Sequence, residues 1–189
     1  MDALIRYVKT ISPLSAEAEA ALRRISSPLA LKKGKLLQAI GHTCRTLYFM
    51  EKGAARIFYY KDSTDITEYF AFENAFIARV ESLFSGRPSR KAIEVIEDAE
   101  LVAINAPELF RLYDQYPEIE RLFRKVTESG YVETVNRLEN LQFHSAEERY
   151  RDLLEAHPEI VQRVPLKYIA SYLGITQVSL SRIRSAAVR

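Results

Sequence analysis

Apolar positions along the chain pass from helical spacing to strand-like spacing and back, and each change predicts a different kind of element from the one before. Leu4, Ile5, Val8 and Ile11 recur at helical spacing, Ser12-Pro13 interrupts, and Ser15 then opens an Ala/Glu-rich run to Ile25, so residues 1–28 read as two helices packed on the outside of the next part of the chain. From Leu29 to Asn105 the texture is that of strands. Short β-branched and aromatic stretches at 47–50, 55–60, 66–72, 92–96 and 100–104 are separated by turn signals such as Lys33-Gly34, Lys52-Gly53 and Lys61-Asp62-Ser63. Many short strands at this spacing predict a small sandwich or barrel. A short helix is expected over 106–115, and Pro117 then opens a long one to about Leu141. Its stripe of Ile119, Leu122, Phe123 and Val126 continues through Gly130 before Val135, Leu138 and Leu141 resume on a shifted line. The stripe is wide enough to pack on the barrel and on a second chain. Ile119, Phe123, Val126 and Gly130 are therefore expected at a dimer seam, the glycine permitting close approach of a partner helix.

The last change of period carries the most chemistry. Leu166, Ile169, Ala170 and Leu173 lie at helical spacing, Gly174 breaks the run, and Leu180 and Ile183 resume it, which predicts two short helices around a tight turn. Ala170 is small where crossing helices approach, Gly174 suits positive φ, and Thr176 offers an N-cap hydroxyl. This is the pattern of a helix-turn-helix DNA reader, with an ordinary helical hairpin as its competitor. Gln177, Ser179, Ser181 and Arg182 supply groups that read base edges, while Lys167, Thr176 and Arg184 are expected toward phosphates or the rim of the same surface. No acidic residue lies beyond Glu159, whereas Arg163, Lys167, Arg182, Arg184 and Arg189 are all basic. That local excess stands out because 27 Lys and Arg against 25 Asp and Glu leave the whole chain at a formal charge of only +2.

Composition narrows the alternatives. No apolar run reaches the roughly 18 residues of a membrane span and the N-terminus lacks a signal-peptide core, so no membrane partner and a cytoplasmic location are expected. One cysteine, Cys44, excludes an internal disulfide framework and a cysteine-held iron–sulfur cluster, and is expected to be a structural thiol. His42, His144 and His157 are scattered, with no His-x-His for a metal-dependent barrel enzyme. No acid, base or nucleophile recurs at a catalytic spacing, so neither a catalytic nor a metal site is expected.

Taken in order, the β-rich half, the long helix and the terminal hairpin resemble the CRP/FNR family of bacterial transcription regulators. The resemblance is carried by Leu31-Lys32-Lys33-Gly34, Gly41, residues 47–56, Ala146-Glu147-Glu148-Arg149-Tyr150, and above all Ile169 through Arg182. It implies an α+β chain: an N-terminal double-stranded β-helix, jelly-roll-like and similar to cyclic-nucleotide-binding domains (1–115), a dimerisation helix (116–141), and a helix-turn-helix domain without an evident wing (142–189). It also implies a homodimer on double-stranded DNA, a small-molecule effector in the roll that turns the readers, and contact with RNA polymerase.

Two departures from the family pattern alter the expectation. Nucleotide-binding members hold ribose with Gly-Glu and the cyclic phosphate with Arg followed by Ser or Thr. Over Phe76–Ala92 no Gly-Glu pair occurs; Glu81 and Arg90 are nearest to those roles, and Lys91 replaces the hydroxyl residue. Thr134 matches a base-contacting position on the long helix. The expectation is thus an effector pocket at Glu81, Arg90 and Thr134 with no cofactor assigned, a cyclic nucleotide being the alternative. In the recognition helix, Val178 stands where members often carry a Glu that accepts from cytosine, and Arg182 matches a guanine-reading arginine. The leading expectation is a non-catalytic transcription regulator, with or without an effector. Its rival is a ligand-sensing or protein-binding module whose hairpin does not read DNA.

Overall fold

The computed structural model describes residues 1–187. Two amphipathic helices come first, α1 (Asp2–Ile11) and α2 (Ala16–Arg24), and the Ser15 hydroxyl caps α2 by accepting from the Ala18 N–H. The helical reading of 1–28 is corrected at its end: Ser26–Leu31 form strand β1. Proline at position 28 is tolerated there because β1 is an edge strand, paired only with β8. Strands β2 (Leu36–Gln38), β3 (Thr46–Lys52), β4 (Ala55–Lys61), β5 (Thr64–Ala71), β6 (Phe76–Ile77), β7 (Ala92–Val95) and β8 (Ala99–Asn105) complete two antiparallel four-stranded sheets, ordered β1-β8-β3-β6 and β2-β7-β4-β5. The expected β-rich roll is present, with one helix in it that the pattern did not announce, α3 (Val80–Ser85), closed by Gly86 at φ +68°.

Alternation along the strands divides the core. Tyr48 and Met50 of β3, with Ala99 and Leu101 of β8, fill the space between the sheets beside Ile57, Ile77, Ile93 and Val95. Phe49, Val102 and Ile104 point the other way and meet Leu4, Ile5 and Val8 of α1, Ala18, Ala21 and Leu22 of α2, Leu109 of α4 (Ala106–Tyr113) and the start of α5 (Pro117–Phe143). Gly53 makes the β3–β4 turn at φ +94°. A Cβ there would lie 2.7 Å from the Asp98 carbonyl oxygen, so only glycine fits.

The seam expectation is corrected at this layer. Ile119 and Phe123 are 0% and 3% exposed and form part of the roll's own outer core, and Val126 packs partly against it. Of the four expected seam residues only Gly130 lies on the exposed stretch of α5, with open space around it. The exposed apolar side chains of α5 come later: Tyr131 at 71%, Val132, Leu138, Leu141 and Phe143.

Past α5, Ser145 and Glu148 form the expected capping box at the start of α6 (Ala146–Ala156). One turn, α7 (Ile160–Arg163), leads to α8 (Leu166–Tyr172) and α9 (Gln177–Ala187). Tyr150, Leu153, Ile160, Val164, Ile169, Ala170, Leu173 and Leu180 form their core, which is continuous with Ala54, Phe70 and Ile96 of the roll. No described helix is long and apolar enough to cross a membrane.

Candidate nucleic-acid interface and its coupling to the roll

The turn between α8 and α9 depends on three residues. Gly174 adopts φ +71°; its N–H donates to the Ser171 carbonyl, and the Ile175 N–H donates back to the Ala170 carbonyl at 3.0 Å. Those two bonds are a Schellman cap, which satisfies carbonyls that the end of α8 would otherwise leave unpaired. Two guanidinium groups complete it: Arg137 of α5 donates to the Tyr172 carbonyl at 2.9 Å and Arg149 of α6 to the Leu173 carbonyl at 3.1 Å. The next helix then starts on Thr176, whose hydroxyl oxygen accepts from the Ser179 N–H at 3.1 Å.

With Leu180 buried in the core, the opposite side of α9 faces outward. Gln177, Val178, Ser181 and Arg182 are exposed there, and Val178 is 61% exposed. Ser185 continues the same face one turn on; the sequence pattern did not single it out, although its i+4 spacing from Ser181 was the available signal. Ser179 differs from its neighbours, since its hydroxyl lies 3.0 Å from that of Thr176 and both groups are engaged in the cap. Lys167 is exposed with its ammonium 4.8 Å above the Tyr168 ring, and Arg184 is half-buried. Arg189 lies outside the described residues.

Arg163, one of the basic residues of this region, is committed elsewhere. Its guanidinium grips both Glu73 oxygens at 2.7 and 2.9 Å and reaches Glu97 at 2.8 Å. Glu73 and Glu97 belong to turns of the roll. Hydrogen bonding to Arg163 holds the Glu73 carboxyl below its ordinary value, and the same contacts raise the Arg163 pKa. Beside it, His157 packs against Phe72 with ring centroids 4.7 Å apart and the planes tilted by 39°, and burial followed by the Arg163 charge lowers its imidazole.

A second junction joins β5 to α8. The Ser171 hydroxyl accepts from the Thr67 N–H at 2.7 Å and donates to the Asp65 carbonyl at 3.1 Å, so the unpaired edge of β5 is held by α8. Under it lies Arg56, only 2% exposed, with its guanidinium bidentate to Asp65, 2.9 Å from Glu94 and 3.0 Å from Thr67. Its plane is also covered by Tyr168 of α8 at 3.6 Å and Phe58 of β4 at 4.2 Å. Burial opposes this charge, and Asp65 with Glu94 more than offset it.

In the roll, Glu81 and Arg90 are both exposed, and none of the described residues bonds to either side chain. Thr134 is exposed too and donates to the Gly130 carbonyl of its own helix. Other residues converge instead: Arg79, Ser89 and Lys91 meet around Glu68 of β5. Cys44 is buried, and its N–H donates to the Ser82 hydroxyl. A separate cleft of about 150 Å³ lies between α5, α6 and α8, lined by Glu133, Asn140 and Asp152 among others. Burial raises the Glu133 carboxyl there. Among the described residues no group of three or more His, Cys, Asp or Glu side chains converges as a metal site.

Comparison with known proteins places this geometry. Residues 28–116 match the cyclic nucleotide-binding domain model. No curated protein sequence matches the chain. Among solved structures, FixK2 of Bradyrhizobium japonicum superposes with a TM-score of 0.72 at 19% identity, covering 86% of this chain and 84% of that one. A protein of Eubacterium rectale described as a transcriptional regulator of the CRP/FNR family gives 0.71 at 18% identity, covering 93% and 84%. The c-di-GMP-responsive regulator CLP of Xanthomonas campestris gives 0.69 at 13%, covering 92% and 91%. Residues 28–116 are therefore similar to cyclic nucleotide-binding domains, and the chain shares the fold of these solved structures.

Proposed function

We propose that the protein is a non-catalytic, homodimeric transcription regulator that reads double-stranded DNA with α9. The roll over 1–115 is the sensor, 116–141 the dimerisation helix and 142–189 the reader. The observation that carries the reading is the outward face of α9: Gln177, Val178, Ser181 and Arg182 stand exposed on a helix whose other side is fixed by Leu180 and the Schellman turn. Amide, hydroxyl and guanidinium groups presented rigidly at helical spacing suit base edges in a major groove. Arg182 is assigned to guanine and Val178 to a thymine methyl. Lys167 and Arg184 approach phosphates, and Thr176 and Ser179 act mainly by holding the helix start. The dimer seam is assigned to the exposed apolar part of α5 around Tyr131 and Leu138. RNA polymerase and a small-molecule effector are the remaining partners that fit a regulator of this fold.

Selection from a randomised duplex library at two salt concentrations, with no ligand added, tests this. The expected result is a two-fold symmetric motif with half-sites about one helical turn apart. Binding without a motif at either salt, or no binding, would favour the rival in which the hairpin contacts protein.

A further inference from the structure

Two arginines are buried in the roll, and they are satisfied very differently. Arg56 has a bidentate carboxylate, a second carboxylate, a hydroxyl and two aromatic faces. Arg79 is 7% exposed, yet its contacts are long: Nε to the Ser89 hydroxyl at 3.4 Å and Nη1 to Glu68 at 3.5 Å. None of the described residues engages its remaining donors. A guanidinium carries five N–H groups in a fork made for a planar anion, and leaving it buried without one is unfavourable. Glu68 cannot supply that anion fully. Its other oxygen is held by the Lys91 ammonium at 2.5 Å, so one carboxylate is divided between two cations and the group keeps a net positive charge.

We infer that Arg79, Lys91 and Ser89 form a small-anion subsite in which the Glu68 carboxylate is the resident counter-ion and gives way to the carboxylate or phosphate of a ligand. Approach is from the side of Glu68 and Lys91, which are about one-third exposed. Ser89 is buried and anchored at both ends of its hydroxyl, accepting from the Lys91 N–H at 3.1 Å and donating to the Lys91 carbonyl at 2.8 Å, so it fixes the Arg79 fork. The ligand anion would thus sit at Arg79, whereas the family pattern pointed to Arg90. Exchange would also act on β5 one residue from Thr67, whose N–H is held by Ser171 of α8.

The inference rests on the reading of the roll as a sensor, but its test uses no DNA and stands or falls separately from DNA selection. Inorganic phosphate, acetate and cyclic AMP are titrated into the full chain at constant ionic strength, and saturation of the shift in thermal midpoint gives the affinity. Phosphate or acetate is expected to bind the wild-type chain, and whichever binds identifies the anion. Glu68→Gln removes the competing charge and should bind that probe about tenfold tighter or more. Arg79→Lys keeps the charge, loses the fork and should bind at least about tenfold more weakly. Equal affinity in all three chains, no response in any, or a loss on Arg90→Gln but not on Arg79→Lys would overturn the site. Binding by Glu68→Gln alone would mean that the carboxylate is permanent, and would overturn the exchange. Cyclic AMP binding at least as tightly as both simple anions would return the pocket to nucleotide recognition.

Discussion

Arg182 and Lys167 are both exposed cations of the reader, but they are expected to fail in different ways when removed. Arg182 stands on the outward face of α9 with Val178 and Ser181, where a planar fork can take both acceptors of a guanine. Arg182→Ala should weaken binding to the selected site by about 1–3 kcal/mol and flatten discrimination at one base pair, measured by titrating the site and its single-pair variants. Unchanged preference at every pair would sink the assignment. Lys167 is placed on α8, away from that face, and contributes a point charge. Lys167→Ala should therefore weaken all duplexes alike and reduce the slope of log affinity against log salt by about 0.9. Val178 gives the complementary test of chemistry: Val178→Glu exchanges a methyl contact for an acceptor and should shift preference at its pair from thymine toward cytosine. At this scale the sequence was informative wherever a residue acts alone. Gly174, Thr176 and Ser145 announced their turn and caps because those roles depend on neighbours three or four residues away. Arg79 did not announce itself, because what makes it unusual is burial against Glu68, eleven positions earlier on β5.

Long-helix packing shows why periodicity has a limit. Ile119, Leu122, Phe123 and Val126 repeat as a seam should, yet the same repeat serves a helix lying on its own roll, and this is where the stripe is buried. Nothing within a single stripe states which partner covers it. The shifted line beyond Gly130 was legible, and that stretch of the helix contains the side chains left exposed, Tyr131 and Leu138. Two substitutions separate the roles. Leu138→Glu should leave the fold intact and drive the chain to a monomer in sedimentation velocity, since a charge is placed where apolar surfaces would meet. Phe123→Ala should instead lower unfolding free energy by about 3–5 kcal/mol in urea titration, from lost burial and the cavity left behind. A dimer that survives Leu138→Glu would move the seam elsewhere. Strands β3, β4, β5, β7 and β8 were legible as β-branched and aromatic runs bounded by turn signals, a texture that a strand buried on both faces keeps. β1 was hidden by its position after a helix, and α3 by its single turn and a half.

Whole-molecule behaviour depends on how the reader is tied to the roll, and both ties run through arginines. Arg56 joins β4, β5 and β7 to Tyr168 of α8, while Arg163 joins α7 to the turns bearing Glu73 and Glu97. The reader is therefore held at two points, so a change in β5 has a short route to α8 that does not pass through the long helix. The Arg163 tie is open to a pH test. Glu73 has a folded-state pKa below its ordinary value of 4.5, so it binds protons less readily when folded. Its contribution is present above that value and is lost as pH falls through the depressed one. His157 acts in the same direction in a higher window: its imidazole is depressed below 6.5, so acid begins to favour the unfolded chain near that value. Arg163→Met removes the partner of Glu73 and one cause of the His157 shift. At neutral pH it should cost about 1–2 kcal/mol, discounted from the value for buried charged hydrogen bonds because the carboxylates are partly exposed. Urea midpoints for wild type and variant should lie farthest apart near pH 7, draw closer in small part below pH 6.5, draw closer again below pH 4.5, and converge only below the depressed Glu73 value, where that carboxyl is neutral in both chains. A gap that stays constant as acid is added would show that the tie does not depend on the Glu73 charge, and that apolar contact between Phe72 and the C-terminal helices carries it instead.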